Sequence, residues 1–126
     1  QEGDLTSIVP MMESEDLITW QRATSVFNED TKPTFIDGVL PACPEIAEVA
    51  GKYLLYYSLS ESYGNSGIGV AVAGLVSGPY VDKGSVIKAS GGVSGVSSPA
   101  FICDNGTNYL VFGNFNGSPA LQWRLG

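Results

Sequence analysis

The 126-residue sequence predicts an all-β chain made of propeller blades with four antiparallel strands each, about two to two and a half blades in all. The main observation is a repeated hairpin. Residues 44–58 recur in altered form as residues 99–113, at a constant offset of 55 positions. Each copy has a Pro, a short apolar strand, a turn at Gly, and a second strand rich in Tyr, Leu, Val and Phe. A repeat near 50 residues with several strands per unit is typical of propeller blades or a similar array.

The composition supports a globular protein and excludes several kinds of partner. Hydrophobic residues make up 44% of the chain and charged residues 15%, while the 16 Gly and 7 Pro suit many turns. The formal charge is −7 and no basic stripe is present, so we expect no binding to nucleic acid or to an anionic membrane surface. No apolar run approaches the roughly 20 residues of a membrane-spanning helix.

Metal, cofactor and disulfide chemistry also find little support. The chain has no His, which excludes a His-based triad and any His-ligated metal within it. Its acidic residues lack the spacing of a calcium loop, so we predict a solvated acidic face, no metal and no cofactor.

Cys43 and Cys103 occupy different places in the two copies of the repeat. Adjacent hairpins would hold their sulfurs about 16 Å apart, so we expect two free thiols.

The strands can be assigned in chain order from apolar runs and turn residues. Ser14 could cap one helical turn, and the alternating aromatic residues of the inner strands are predicted to form the blade core. We predict strands or extended segments at residues 7–12, 21–27, 42–49, 53–59, 68–73 and 120–125, an outer strand at Val86-Ile87, and a second hairpin over residues 99–113. Residues 1–37 would then end one blade, residues 38–92 would form a complete blade, and residues 93–126 would form most of a further blade.

Several segments carry a family pattern. They are Ser-Glu-Asp-Leu-Ile-Thr-Trp at 14–20, Ala-Cys-Pro-Glu at 42–45, Gly-Lys-Tyr-Leu-Leu-Tyr-Tyr-Ser at 51–58, Ile-Gly-Val-Ala at 68–71, Gly-Pro-Tyr at 78–80 and Phe-Gly-Asn-Phe at 112–115. In order and spacing they resemble glycoside hydrolase family 43, the five-bladed β-propeller arabinanases, arabinofuranosidases and xylosidases. The resemblance covers most of the chain.

The departures from this family bear on catalysis. The resemblance implies an inverting mechanism with three carboxyl groups: a general base, an Asp that tunes the acid, and a Glu general acid. The base would precede Gln1 and the acid would follow Gly126. Ser98 stands where the tuning Asp is expected, while Ala42 and Asn116 replace two aromatic residues of the family. We therefore predict no catalytic residue in this chain, and whether it is an enzyme stays open.

Four residues are candidates for contact with substrate: Glu45, Ser98, Asn114 and Asn116. Glu45 either faces the central pocket and contacts a sugar hydroxyl or hydrogen-bonds neighbouring backbone at the propeller mouth. Ser98 is either a polar pocket wall or a turn residue before Pro. Asn114 and Asn116 either bind carbohydrate or belong to an ordinary turn beside Gly.

Two functional hypotheses follow. The first is a fragment or truncated relative of a family 43 glycosidase of the arabinan- or xylan-degrading lineage, with little or no hydrolysis by this chain alone. The alternative is a self-assembling, non-catalytic module that binds carbohydrate or serves a structural role. About two blades would leave sheet faces and edges exposed, so a complete chain is expected to form a homo-oligomer. The resemblance also implies a secreted or periplasmic location.

Overall fold

The computed structural model describes residues 8–62, 64–90 and 95–114, and within these ranges it contains eight β-strands and no helix. The all-β prediction is therefore confirmed. No helix in this part of the chain could span a membrane. The strands are β1 Ile8–Glu13, β2 Gln21–Phe27, β3 Ala42–Val49, β4 Lys52–Ser62, β5 Asn65–Ala73, β6 Val81–Lys88, β7 Val96–Asp104 and β8 Thr107–Asn114.

The strands form three antiparallel sheets that follow one another along the chain. The first sheet is β1-β2, the second is β3-β4-β5-β6, and the third is β7-β8. The four-stranded sheet is a complete up-and-down meander, the form predicted for a propeller blade. The strand predicted at residues 120–125 lies outside the described residues, and the proposed division of the chain at residues 37 and 92 remains a prediction.

The two repeated hairpins turn in the same way. Ala50 and Gly51 have φ of 54° and 81°, and their counterparts Asn105 and Gly106 have φ of 53° and 84°. In both hairpins these two residues form the whole connection, between Val49 and Lys52 and between Asp104 and Thr107. Positive φ at both positions defines the type I′ turn, whose twist matches that of the flanking strands. The turn at Gly in each copy thus fixes the register of its hairpin.

The two hairpins also share a bulge at the start of their first strand. The ladder shifts register between Ala42 and Glu45 in β3, and at the equivalent place in β7. Cys43 and Ser98 lie within these bulges with φ of 51° and 55°. Both precede a Pro, and a left-handed conformation is uncommon for residues other than Gly. The repeat therefore reproduces a strained backbone feature as well as a strand pattern.

The central sheet is covered on both faces. One face carries Leu55, Tyr57 and Leu59 and packs against the β1–β2 sheet and the loop that follows it. Phe27 meets Tyr57 there edge to face, with ring centroids 5.6 Å apart. On the opposite face Tyr56 stacks on Phe101 of β7, with centroids 5.9 Å apart and ring planes at 13°. The three sheets are thus stacked in chain order, as successive blades are.

Tyr57 connects β4 to β6 across the strand between them, β5. It is fully buried on β4, lies opposite Gly69 of β5, and donates a hydrogen bond from its hydroxyl to Oδ1 of Asp82 on β6. Burial raises the pKa of the Tyr57 phenol, and the carboxylate of Asp82 raises it further. The phenol therefore stays protonated and keeps its donor role.

The helical turn predicted at Ser14 does not form. The Ser14 hydroxyl accepts hydrogen bonds from the amides of Asp16 and Leu17, and Oδ1 of Asp16 accepts from Ile18 and Thr19 at 2.9 and 2.8 Å. Leu17 has a φ of 67°, which interrupts any helical turn. The amide donors of Thr19 and Ile18, with the Ser14 hydroxyl, lower the pKa of Asp16 to about 2. These short polar side chains hold the connection as a turn instead.

Candidate functional site

The starts of β3 and β7 lie side by side and bring two repeat-equivalent residues together. Cys43 and Ser98 are 55 positions apart in the sequence, and the Ser98 hydroxyl donates to Sγ of Cys43 at 3.9 Å. Both residues are exposed. The matching bulges aim both side chains at the same point. This pair is the centre of the candidate site.

A buried serine holds the two strand starts in place. Ser58 is 3% exposed, and its hydroxyl donates to the carbonyl oxygen of Ala42 at 3.3 Å. The Ser58 hydroxyl oxygen in turn accepts a hydrogen bond from the backbone amide of Ser98 at 3.4 Å. A buried hydroxyl that is bonded on both sides costs no desolvation penalty and rigidifies its neighbours. Ser58 therefore fixes the spacing between Cys43 and Ser98.

Glu45 lies further along β3, at the contact between two blades. It is half-buried, lies opposite Tyr56 in the ladder, and accepts the backbone amide of Phe101 through Oε2 at 3.3 Å. A contact with neighbouring backbone is what one of the two interpretations of Glu45 expects. The other interpretation, contact with a sugar hydroxyl, stays a prediction.

Of the two candidate asparagines, Asn114 and Asn116, the structure describes Asn114. Asn114 is exposed, ends β8, and pairs with Val96 at the same end of the hairpin as Ser98. Asn114 is also engaged in an interaction within the protein. Asn116 lies outside the described residues. The structure therefore places Asn114 at the same end of the hairpin as the Cys43–Ser98 pair, and its role in binding stays a prediction.

Two residues of this site were missed by sequence reasoning. The sequence predicts a free thiol at Cys43 and a family segment that contains Ser58, but it assigns neither residue to a site. Both cysteines are exposed and free, as expected. Cys43 could have been found, because it occupies the same place before a Pro in the first hairpin as Ser98 in the second. The role of Ser58 could not be predicted, because a serine at the end of an apolar run does not indicate which backbone groups its hydroxyl contacts.

The candidate site presents hydrogen-bonding groups. The Ser98 hydroxyl and the Glu45 carboxylate can donate to and accept from a hydroxylated ligand. Inverting hydrolysis needs two carboxyl groups about 6.5–9.5 Å apart, and Glu45 is the one carboxylate among the predicted site residues. Within the described ranges no group of three or more His, Cys, Asp or Glu side chains could hold a metal ion.

A cleft elsewhere on the surface has a different composition. It has a volume of about 540 Å³ and contains none of the predicted site residues. Its lining comes from β1, β2 and the turn between them: Glu13, Ser14, Glu15, Asp16, Thr19 and Gln21. Several of these groups are used in holding the turn itself, including the Ser14 hydroxyl and the Asp16 carboxylate. We therefore assign the cleft to the solvated acidic face.

Three stacked antiparallel sheets, one of them a complete four-stranded meander, are the arrangement of part of a β-propeller. Comparison with known families supplies the assignment. The chain belongs to glycosyl hydrolases family 43, whose sequence profile matches residues 3–122. The family resemblance drawn from the sequence is confirmed.

Curated relatives are arabinan- and xylan-related. The chain is similar to extracellular endo-α-(1→5)-L-arabinanase 2 of Bacillus subtilis, with 31% identity over 82% of this chain and 28% of the relative. It is also similar to xylosidase/arabinosidase 43A of Humicola insolens, with 34% identity over 66% of this chain and 24% of the relative. The chain thus spans less than a third of the length of these two relatives.

Solved structures confirm the fold. The α-L-arabinanase of Cellvibrio cellulosa complexed with arabinohexaose superposes with a TM-score of 0.66 at 26% identity, over 89% of this chain and 46% of that one. An α-L-arabinofuranosidase of Clostridium thermocellum superposes with a TM-score of 0.65 at 24% identity, over 82% of this chain and 35% of that one, which supports the fold alone. The chain therefore has the fold of part of a family 43 propeller.

Proposed function

We propose that this chain is a section of a family 43 glycosidase fold that contacts arabinan- or xylan-type polysaccharide at the starts of β3 and β7. The observation that carries the proposal is the exposed Cys43–Ser98 pair, held by Ser58, with Glu45 further along the same strand. Family membership and the names of the relatives support the choice of sugar. The Cellvibrio cellulosa structure named for its arabinohexaose complex makes that oligosaccharide the natural probe.

The proposed role of each residue follows from its chemistry. The Glu45 carboxylate accepts hydrogen bonds from sugar hydroxyls, and the Ser98 hydroxyl both donates and accepts. Asn114 and Asn116 are proposed to contact the same ligand through their amides. Ser98 carries no carboxyl group where the family's tuning Asp is expected, and a lone Glu45 cannot act as both acid and base in one inverting step. We therefore propose little or no hydrolysis by this chain alone.

The proposed substrate implies where the protein works. Plant-type polysaccharides are met outside the cytoplasm, and one relative carries the description extracellular. We propose a secreted or periplasmic location on these grounds. Free thiols at Cys43 and Cys103 are compatible with it, because their strand positions do not bring them together for a bridge.

Calorimetric titration with arabinohexaose tests the binding role. Glu45→Gln is expected to weaken binding by about tenfold or more, because a hydrogen bond to a charged group is worth about 1.5–3 kcal/mol. Glu48→Gln is the matched control on the same strand and should leave the affinity unchanged. A folded protein that gives no heat of binding, or equal weakening by both variants, would contradict the proposal.

Hydrolysis assays test the absence of catalysis. Arabinan, arabinoxylan and aryl-glycosides are expected to be turned over at or near the background rate. Activity that disappears in Glu45→Gln but persists in Glu48→Gln would show that Glu45 takes part in catalysis. That result would replace the binding role with an enzymatic one.

A self-assembling, non-catalytic module is a second candidate function. It is favoured by the exposed apolar face of the β7–β8 hairpin, where Ile102, Tyr109 and Val111 reach solvent. A folded oligomer that binds no arabinohexaose would favour this self-assembling module, in the form of a purely structural interaction protein.

A further inference from the structure

The turn between β7 and β8 carries a short motif that the proposed carbohydrate site does not use. Asn105, Gly106 and Thr107 form the pattern Asn-X-Thr with X other than Pro, which is the acceptor sequence for N-linked oligosaccharides. Such a short pattern also occurs by chance, so its place in the fold decides whether an oligosaccharide fits there. An attached oligosaccharide is bulky and polar, and it therefore needs an Asn on the surface with open solvent beside it.

The fold places the whole motif on the surface. Asn105, Gly106 and Thr107 are all exposed. The ladder of the hairpin closes at the pair Asp104–Thr107, so Asn105 and Gly106 lie beyond the last paired residues. Among the described residues, no atom outside the turn lies within 4 Å of the point where a Cβ on Gly106 would stand. This end of the hairpin therefore has room for a large group.

This exposure belongs to the end of the hairpin and does not depend on where the hairpin lies in the chain. The equivalent turn of the central sheet, 55 positions earlier, consists of Ala50, Gly51 and Lys52. The central sheet is packed on both faces, yet all three of these residues are exposed, and a Cβ on Gly51 would also meet open space. A further blade beside β7–β8 is therefore expected to leave Asn105 accessible as well.

Turn formation and modification use different atoms of Asn105. The type I′ turn depends on the backbone of Asn105, which has a φ of 53°, and Asn-Gly is a preferred pair for this turn. Modification uses the side-chain amide nitrogen, Nδ2. The turn accounts for Asn105 and Gly106, but it does not require Thr at position 107, where the other copy of the repeat has Lys52. Thr107 thus completes an acceptor motif that the turn alone does not demand.

We propose that Asn105 is a site of N-linked glycosylation when the chain passes through a secretory pathway that contains an oligosaccharyltransferase. In the transfer, Nδ2 of Asn105 forms a bond to the anomeric carbon of an oligosaccharide carried on a polyprenyl diphosphate. The bond from that carbon to the diphosphate oxygen breaks, one proton leaves Nδ2, and the polyprenyl diphosphate is released. The proposal rests on the secreted location proposed above.

An oligosaccharide on Asn105 would leave the candidate carbohydrate site open. Ser98 lies near the start of β7, whereas Asn105 follows its last residue. Seven residues of strand separate the two by roughly 20 Å. Asn114 pairs with Val96, at the Ser98 end of the hairpin. The modification therefore adds polar surface at the far end of the hairpin, and arabinohexaose should bind with unchanged affinity.

Secretion from a yeast host, behind a host signal peptide, tests the proposal without relying on the natural location of the protein. The peptide map is made from secreted and cell-retained chain alike. Peptide:N-glycosidase should lower the mass of the wild-type chain and leave an aspartate in place of Asn105. Asn105→Gln and Thr107→Ala should each abolish modification at this position, whereas Thr107→Ser should keep it.

The peptide map also separates Asn105 from a second acceptor motif. Asn116, Gly117 and Ser118 form that motif, which lies outside the described residues and includes a proposed sugar contact. A wild-type chain without an oligosaccharide on Asn105, including one modified at Asn116 alone, would overturn the proposal. Arabinohexaose binding is measured separately on unmodified protein, so its failure does not alter this result.

Transfer of the motif to the other copy of the repeat tests the role of the turn. Ala50→Asn together with Lys52→Thr places the same three residues in the central sheet, because Gly51 already stands between them. This double variant should gain a second oligosaccharide, since the two turns share their backbone conformation and exposure. Ala50→Asn alone lacks the Thr and should gain none. A double variant without modification in the central turn would contradict the proposal that this type of turn presents an acceptor Asn.

Discussion

Gly69→Ala is expected to destabilise the protein by about 1–3 kcal/mol, the usual range for overpacking a core. A Cβ at Gly69 would lie 2.8 Å from Cε1 of Tyr57 and closer still to its Cζ and hydroxyl oxygen. The Tyr57 ring cannot move aside, because Phe27 and Phe35 pack against it and Asp82 holds its hydroxyl. The loss is measured as the free energy of unfolding in urea.

Gly74→Ala is the matched control for this substitution. A Cβ at Gly74 would have no other atom within 4 Å, so its effect should stay within about 0.5 kcal/mol. Combining Gly69→Ala with Tyr57→Ala should cost less than the sum of the single losses, because the added methyl group then has room. Equal losses at Gly69 and Gly74 would show that the ring does not occupy the space above Gly69.

Tyr57→Ala is expected to cost about 3–5 kcal/mol, as large aromatic truncations in cores do. Tyr57 has no exposed surface and contacts the rings of Phe27 and Phe35. Tyr57→Phe keeps the ring and should cost about 1–3 kcal/mol, because the half-buried Asp82 carboxylate loses its donor. Urea unfolding of the two variants separates the packing contribution from that of the hydrogen bond.

Asp82→Asn completes the test of this bond. If the bond stabilises the fold, Tyr57→Phe should cost much less in the Asp82→Asn background than in the wild type. Tyr109→Phe, at an exposed position on β8, is the control and should change the stability by less than about 0.5 kcal/mol. Additive losses for Tyr57→Phe and Asp82→Asn would mean that the two side chains act independently.

The hairpins were predictable because their signals are local. The repeated Pro, the apolar residues after it and a turn over residues 50–52 predicted β3 at residues 42–49, and the strand has those bounds. The turn itself is one residue shorter than predicted, because Lys52 already belongs to β4. The outer strand was predicted only at residues 86–87, whereas β6 runs over Val81–Lys88. The first half of β6 could not be predicted because it contains Asp82, Lys83 and Gly84, which break the apolar pattern. The exposed side of an outer strand tolerates such polar residues.

The site was less predictable because its contacts join distant parts of the chain. The Cys43–Ser98 contact joins two bulges that the sequence shows only as residues before Pro. The donors of Ser58 and Tyr57 reach groups 16 and 25 positions away. The alternation of residues along a strand predicts which face of the sheet a side chain lies on, but it does not predict which residue that side chain contacts. The helical turn expected at Ser14 was wrong for a local reason, since its own hydroxyl and the Asp16 carboxylate take the amides of the turn.

Mapping of arabinohexaose by amide chemical shifts tests the central claim most directly. A ¹H–¹⁵N spectrum of the folded protein would be recorded during titration with arabinohexaose. Saturable shifts at the amides of Cys43, Ser98 and Phe101, smaller in Glu45→Gln, are the predicted result. A spectrum that does not change, or shifts confined to the Ser14–Thr19 turn, would contradict a carbohydrate site at the starts of β3 and β7.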